Sequence, residues 1–237
     1  MTQQALTHTF DPVDPATEAR AALHAALGEP ARLAIVEELA ISDRAPSVLS
    51  ARFGLPGNLL AHHLDVLERV GLIERHVSAG DRRRRYVRLR RHVLRDTALG
   101  TTRRRAGRAL FVCTQNSARS QLAAALWRER TGGPASSAGT HPARRVHPGA
   151  VAAARRAGLD LSGAHPRVLE PDDLDVDLVV TVCDRAHEEL DPPEAWLHWS
   201  VPDPVEAGTR HAFDATLAEL DDRVRGLITS LDGPAAM

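Results

Sequence analysis

Apolar positions in the first part of the chain recur at the spacing of helices and then at the spacing of strands. After a polar, proline-punctuated arm over 1–15, helical patterns cover 16–27, 30–40, 47–52 and 58–70. The last of these presents a polar row opposite its leucine stripe: Asn58, His62, Asp65 and Arg69. Residues 72–77 and 82–89 then predict a β-hairpin around a turn at 78–81.

After residue 108 the pattern changes to an alternation of short strands and helices. Apolar runs predict strands at 109–112, 136–138, 178–183 and 196–199. Helical patterns lie at 121–130, 148–157, 185–190 and 212–231. This alternation predicts an α/β domain with a parallel sheet covered by helices on both faces. A further helix after residue 90 is expected to end the N-terminal domain and to run into an Arg-rich linker. We therefore predict an arm at 1–15, a first domain at 16–105 and a second domain at 106–237.

Charge distinguishes the two parts, although the whole chain has a net charge of only −1. Residues 75–105 hold 12 arginines against Asp81 and Asp96, whereas residues 106–237 hold 13 arginines against 19 acidic residues. A basic hairpin after the helices at 30–40, 47–52 and 58–70 is typical of a winged helix-turn-helix, a fold that is mainly α-helical with a β-wing. In such a fold the polar row of the last helix enters the major groove of DNA, and the wing lies along the phosphates of the DNA backbone. A solvated hairpin without a partner is the alternative. The candidate wing contacts are Arg82, Arg83, Arg84 and Arg85.

Residues 15–95 resemble the ArsR family of bacterial regulators. The resemblance rests on 27–36 (LGEPARLAIV), on 63–73 (HLDVLERVGLI) and on the end of the hairpin at 85–89 (RYVRL). It implies a homodimer, formed through this domain, that reads a palindromic double-stranded DNA operator. Residues 1–105 contain no cysteine, so the thiol cluster that arsenite-sensing relatives use is missing here.

A cysteine begins the loop between the first strand and the first helix of the second domain, residues 113–120, which we call the cysteine loop. Backbone N–H groups and the helix N-terminus of such a loop form an anion cradle, and Arg119 adds a fork that matches a tetrahedral oxyanion. The same field favours the thiolate of Cys113, so catalysis is a better interpretation than packing. The other expected oxyanion-binding residues are Thr114, Gln115, Asn116, Ser117, Ala118 and Ser120. Of these, Thr114 and Ser117 are expected to donate to the cysteine sulfur, and Asn116 to hold the turn.

Residues 108–232 resemble the low-molecular-weight protein tyrosine phosphatases and the arsenate reductases that share their fold. The motifs are the cysteine loop and the pair Asp203-Pro204. The resemblance implies a four-stranded parallel sheet and makes Asp203 the general acid or proton shuttle opposite Cys113. Val205 stands where the phosphatases place aromatic residues, which favours arsenate as substrate and leaves phosphotyrosine as the alternative.

Cys183 ends a Val-Thr-Val-Cys segment that resembles the second cysteine of the thioredoxin-coupled reductases. A third cysteine follows seven residues later in those enzymes, where this chain has Leu190. The resemblance implies that Cys183 attacks a Cys113–arsenic adduct, after which thioredoxin, or mycothiol with mycoredoxin, reduces the disulfide. Packing of Cys183, or attack by a small thiol with Cys183 as a bystander, are the alternatives.

Composition excludes several other classes of protein. No apolar run approaches the roughly 18 residues of a membrane-spanning helix, and the N-terminus lacks the features of a signal peptide, so a cytoplasmic protein without a membrane partner is expected. No metal-ligand spacing is found, and neither a metal nor a bound cofactor is expected. The combined hypothesis is a DNA-binding regulator fused to a cysteine-dependent arsenate reductase; a phosphatase, or a regulator that only senses an oxyanion, are the alternatives.

Overall fold

The computed structural model describes residues 15–94 and 107–232. The predicted arm, the domain boundary near residue 105 and most of the predicted linker lie outside the described residues. Of the helix expected after residue 90, the structure describes Arg91–Leu94.

The N-terminal domain consists of short helices followed by a two-stranded antiparallel hairpin. Its helices are α1 (Pro15–Leu27), α2 (Pro30–Ile41), α3 (Pro46–Phe53), α4 (Gly57–Arg69) and α5 (Arg91–Leu94), and its strands are β1 (Ile73–Val77) and β2 (Arg85–Leu89). Helix α2 begins where the Glu29 carboxylate caps the N–H of Arg32, and α3 ends at Gly54, whose φ of 62° suits glycine. Leucine, isoleucine and valine side chains from α2, α3, α4 and both strands form one core.

The C-terminal domain has a four-stranded parallel sheet in the order β4-β3-β5-β6, which confirms the predicted fold class. Its strands are β3 (Ala109–Cys113), β4 (Ala135–Gly139), β5 (Leu178–Thr181) and β6 (Leu197–His198). Its helices are α6 (Arg119–Thr131), α7 (Pro148–Arg156), α8 (Asp184–Leu190), α9 (Pro204–Ala207) and α10 (Arg210–Asp232), with a 3₁₀ turn at Pro171–Leu174. The larger core lies between the sheet and α6, α7 and α10, and a smaller one covers the other face.

Two predicted strand boundaries differ from the observed ones by more than one residue. The strand expected over 178–183 ends at Thr181, because the backbone turns there to begin α8 immediately after Cys183. The strand expected from residue 82 begins at Arg85, because Arg84 N–H bonds the carbonyl of Asp81 and closes a turn.

The two domains pack directly on each other. The turn between α2 and α3 lies against β6, where the N–H of Asp43 donates to the carbonyl of His198 at 2.7 Å. The buried Asp43 carboxylate also pairs with Arg223 of α10 at 3.0 Å, and the Trp199 indole N–H donates to the carbonyl of Ile41 at 3.0 Å. The domains are therefore held by specific polar contacts as well as by the chain that joins them.

Candidate active site and nucleic-acid interface

The cysteine loop connects the end of β3 to the start of α6. Asn116 adopts a left-handed backbone with a φ of 47°, which lets the chain curl around the sulfur of Cys113. That sulfur lies 3.2 Å from the backbone N of Asn116 and 3.0 Å from Oγ of Ser120. A nitrogen donor and a hydroxyl at these positions stabilise a thiolate.

The prediction that Thr114 and Ser117 donate to the sulfur of Cys113 was wrong for both residues. The Thr114 hydroxyl contacts the sulfur of Cys183 at 3.4 Å, and the Ser117 hydroxyl donates to Oε1 of Gln115 at 3.5 Å. Thr114 follows Cys113 directly and so points away from it, whereas Ser120, in the first turn of α6, points back to the loop.

The Asn116 side chain ties the cysteine loop to its surroundings. Its Nδ2 donates to Oγ of Ser120 at 2.8 Å and to Oγ of Ser137 at 2.9 Å. Its Oδ1 accepts from the N–H of Arg167 at 3.0 Å and from the Gln121 amide at 3.1 Å. These four bonds hold the strained turn in one conformation.

Arg119 is buried at the start of α6 and links the loop to the segment after β6. It donates to the carbonyl of Val201 at 3.0 Å and to Oδ2 of Asp203 at 2.6 Å. Burial opposes the charge, but the neighbouring sulfurs of Cys183 and Cys113 and the Asp203 carboxylate raise the pKa of Arg119. The guanidinium is therefore a permanent cation that pairs with the Asp203 carboxylate and interacts electrostatically with both cysteines.

Cys183 lies at the same edge of the sheet, at the N-cap of α8, with 2% of its surface exposed. Burial raises the pKa of its thiol, and Arg119 and the Thr114 hydroxyl oppose that effect. Cys113, Cys183 and Asp203 thus all surround Arg119, as expected of groups that follow parallel strands.

The proposed recognition surface is exposed to solvent. All four residues of the polar row on α4 are exposed, and the neighbouring His63 is buried in the core. Asp65 of that row accepts an ion pair from Arg75 at 2.5 Å, which directs its charge towards the hairpin. The four wing arginines, 82–85, are exposed as well.

Sequence reasoning missed Ser137 and Val201 as supports of the site. Ser137 lies in an unremarkable small-residue strand, and Val201 contributes only its carbonyl, so neither has a local signal. Asp203, which the resemblance had already marked, accepts from the N–H of Val205 at 3.0 Å and caps the start of α9.

Among the described residues, no group of three or more histidines, cysteines or carboxylates is arranged to hold a metal ion. In the same ranges of the chain, none of the helices is long and apolar enough to cross a membrane.

Comparison with known proteins finds a matching family for each part of the chain. Residues 108–235 match the family described as low molecular weight phosphotyrosine protein phosphatase, and residues 27–76 match a helix-turn-helix domain family. An arsenate reductase of Bacillus licheniformis is 35% identical over 126 residues, which cover 48% of this chain and 90% of the relative. A glutaredoxin arsenate reductase of Synechocystis is 28% identical over 133 residues, or 52% of this chain and 98% of the relative.

Among solved structures, a thioredoxin-dependent arsenate reductase from Corynebacterium glutamicum is 26% identical, with a TM-score of 0.44. The match covers 57% of this chain and 64% of the chain in that structure. Because the family match spans more than half of the chain and includes the cysteine loop and Asp203, the protein belongs to the low molecular weight phosphotyrosine protein phosphatase family, with arsenate reductases among its relatives and a helix-turn-helix domain at its N-terminal end.

Proposed function

We propose that the protein is a cytoplasmic, DNA-binding regulator of the ArsR type whose C-terminal domain reduces arsenate to arsenite. The observation that carries the enzymatic part is the placement of two buried cysteines at one edge of the sheet, where the hydroxyl of Thr114, the residue next to Cys113, contacts the sulfur of Cys183 at 3.4 Å. The relatives named as arsenate reductases support the choice of substrate. A phosphatase would need Cys113 and Asp203 but would have no use for Cys183.

The first step of the proposed reaction takes place in the cysteine loop. Arsenate binds to the loop N–H groups and to Arg119, and the Cys113 thiolate attacks arsenic. A sulfur–arsenic bond forms, and one arsenate hydroxyl leaves as water with a proton that reaches it from solvent through Asp203. Arg119, already bonded to Asp203 at 2.6 Å, keeps that carboxyl beside the departing oxygen.

The second step transfers two electrons to arsenic. The Cys183 sulfur attacks the Cys113 sulfur, so that a disulfide forms and the sulfur–arsenic bond breaks with its electron pair remaining on arsenic. Arsenite leaves and takes up the proton of the Cys183 thiol. An external dithiol then reduces the disulfide and restores both cysteines.

The external reductant has to act on the Cys113–Cys183 disulfide itself, because the chain has only two cysteines and Leu190 replaces the third. Thioredoxin, or mycothiol with mycoredoxin, is the proposed donor. The N-terminal domain is proposed to bind double-stranded DNA as a homodimer, with α4 in the major groove and the arginines of the wing on phosphates. The exposure of both surfaces supports this role.

The activity is tested by arsenite release from the purified chain, supplied in turn with thioredoxin and with mycothiol and mycoredoxin. We expect turnover with at least one system and none for Cys113→Ser, which removes the attacking thiolate but keeps the loop donors that bind oxyanions. Cys183→Ser should lose arsenate reduction. If Cys183→Ser instead keeps full turnover with the protein reductant, or if the wild type hydrolyses aryl phosphates and leaves arsenate unreduced, the proposed function is wrong.

A further inference from the structure

The tip of the hairpin, residues 78–84, which we call the wing tip, lies on α8 of the C-terminal domain. The N–H of Ala79 donates to Oδ2 of Asp184 at 2.8 Å, and the N–H of Asp81 donates to Oε2 of Glu188 at 2.6 Å. Oε1 of Glu188 also accepts from the Tyr86 hydroxyl at 3.3 Å. Two carboxylates, one turn apart on α8, therefore accept hydrogen bonds from two backbone N–H groups of the wing tip.

The backbone of the wing tip also lies close to the backbone of α8. A Cβ atom at Gly80 would lie 3.0 Å from Cα and 3.1 Å from N of Arg185, and it would overlap the Glu188 carboxylate. The φ of Gly80 is not in the left-handed region, so the hairpin itself accepts alanine at this position. Gly80 is thus required by the approach of α8 and not by the turn.

The charges of the two surfaces are complementary. Four exposed arginines, 82–85, belong to the wing, and the two α8 carboxylates that contact the wing tip are Asp184 and Glu188. Asp184 is buried and bonded to Nε2 of His198 at 3.1 Å. Burial raises its pKa, but bonds from His198, Ser200 and the wing tip outweigh that effect and lower the pKa to about 2, so Asp184 is an anion at neutral pH.

We propose that α8 acts as an intramolecular substitute for the DNA backbone at the wing, so that the C-terminal domain and DNA compete for one surface. Phosphate oxygens on DNA accept hydrogen bonds from backbone N–H groups, and in this chain Asp184 and Glu188 accept hydrogen bonds from two such groups of the wing tip. A duplex cannot reach the Ala79 and Asp81 N–H groups while the α8 backbone lies against Gly80. The proposal rests on the proposed DNA-binding function.

The competition is tested with the full chain and a fluorescein-labelled 30-base-pair duplex of random sequence, by fluorescence anisotropy at fixed salt. We expect Gly80→Ala and Glu188→Gln each to tighten DNA binding. For Glu188→Gln, which removes a charged hydrogen bond, the expected increase in affinity is about tenfold. Glu189→Gln removes the same charge from the same helix, but its carboxylate bonds Thr140 and His141 instead of the wing, so it controls for charge. Gly163→Ala, which meets nothing within 4 Å, controls for the glycine substitution.

Amide hydrogen exchange at Ala79 and Asp81 reports undocking independently of DNA, and exchange there should accelerate in Gly80→Ala. Faster exchange with unchanged DNA affinity relative to the controls would overturn the competition while leaving DNA binding intact. Unchanged exchange in both Gly80→Ala and Glu188→Gln would show that α8 does not hold the wing tip, and would overturn the proposal as well. Absence of duplex binding in the wild type and in every variant would overturn the proposed DNA-binding function itself.

Discussion

Thr114 joins the two cysteines of the site. Its hydroxyl contacts the sulfur of Cys183 at 3.4 Å, and its backbone continues from Cys113. Burial raises the pKa of Cys183, and the Thr114 hydrogen bond works in the opposite direction by stabilising the thiolate. The Thr114 hydroxyl therefore favours the thiolate of Cys183, which is the form that attacks in the proposed second step.

Thr114→Val should slow disulfide formation near neutral pH, because loss of the hydroxyl raises the Cys183 pKa further and lowers its thiolate fraction. One pKa unit corresponds to about a tenfold change in that fraction. The rate should recover as the pH rises, since the thiolate then forms without help. Single-turnover disulfide formation with arsenate, followed against pH, measures the shift. Thr114→Ser should retain the wild-type profile, and an unshifted profile for Thr114→Val would exclude this role of the hydroxyl.

The hairpin is the element whose proposed role in DNA binding can be measured most directly. Its strands hold Tyr86, Val87 and Leu89 in the protein interior, whereas the arginines at 82–85 stay in solvent. Exposed arginines that bind phosphates release counterions and so make binding depend on salt. The number of phosphates that the protein neutralises can be read from the salt dependence.

Replacing Arg83, Arg84 and Arg85 with glutamine should weaken binding to all duplex sequences, because arginine–phosphate pairs carry no sequence information. The slope of log affinity against log salt should fall by about 0.9 for each phosphate that the variant no longer neutralises. Titrations of labelled duplex at several salt concentrations measure it. The matched control replaces three exposed arginines of the C-terminal domain, Arg144, Arg145 and Arg155, with glutamine. Equal slopes for both triple variants would show that the wing arginines are only solvated.

At the scale of the whole molecule, the two domains share buried polar groups. The Asp43 and Arg223 side chains are 0% and 2% exposed. Burial opposes ionisation of Asp43, but Arg223 and other cations hold its pKa below the ordinary value. Because the folded pKa is depressed, the stability that this carboxylate contributes is complete above the unfolded pKa of about 3.9. That contribution is lost as the pH falls through the folded pKa.

Asp43→Asn should lower the free energy of unfolding by about 3–5 kcal/mol, because it leaves Arg223 as a buried cation without its main partner. Urea unfolding followed by circular dichroism measures the loss. Asp221→Asn removes a carboxylate that pairs with Arg130 and Arg225 near the surface, and should cost less than about 1 kcal/mol. Similar losses for the two variants would mean that the interdomain pair is not a main source of stability.

The sequence by itself determined the elements, the fold class and the cysteine loop. Leucine spacing defined α4, apolar runs defined the strands, and a cysteine before an Arg-Ser pair at a strand end marked the site, because each signal lies within a few adjacent residues. Only the tertiary structure decided which distant polar groups meet. Thr114 with Cys183, Asp43 with Arg223 and Asp81 with Glu188 are separated by 69, 180 and 107 residues. Such pairs have no periodicity. The pairing of parallel strands within the C-terminal domain brings Thr114 to Cys183, and the packing of one domain on the other selects the two charged partners from 31 acidic and 30 basic residues.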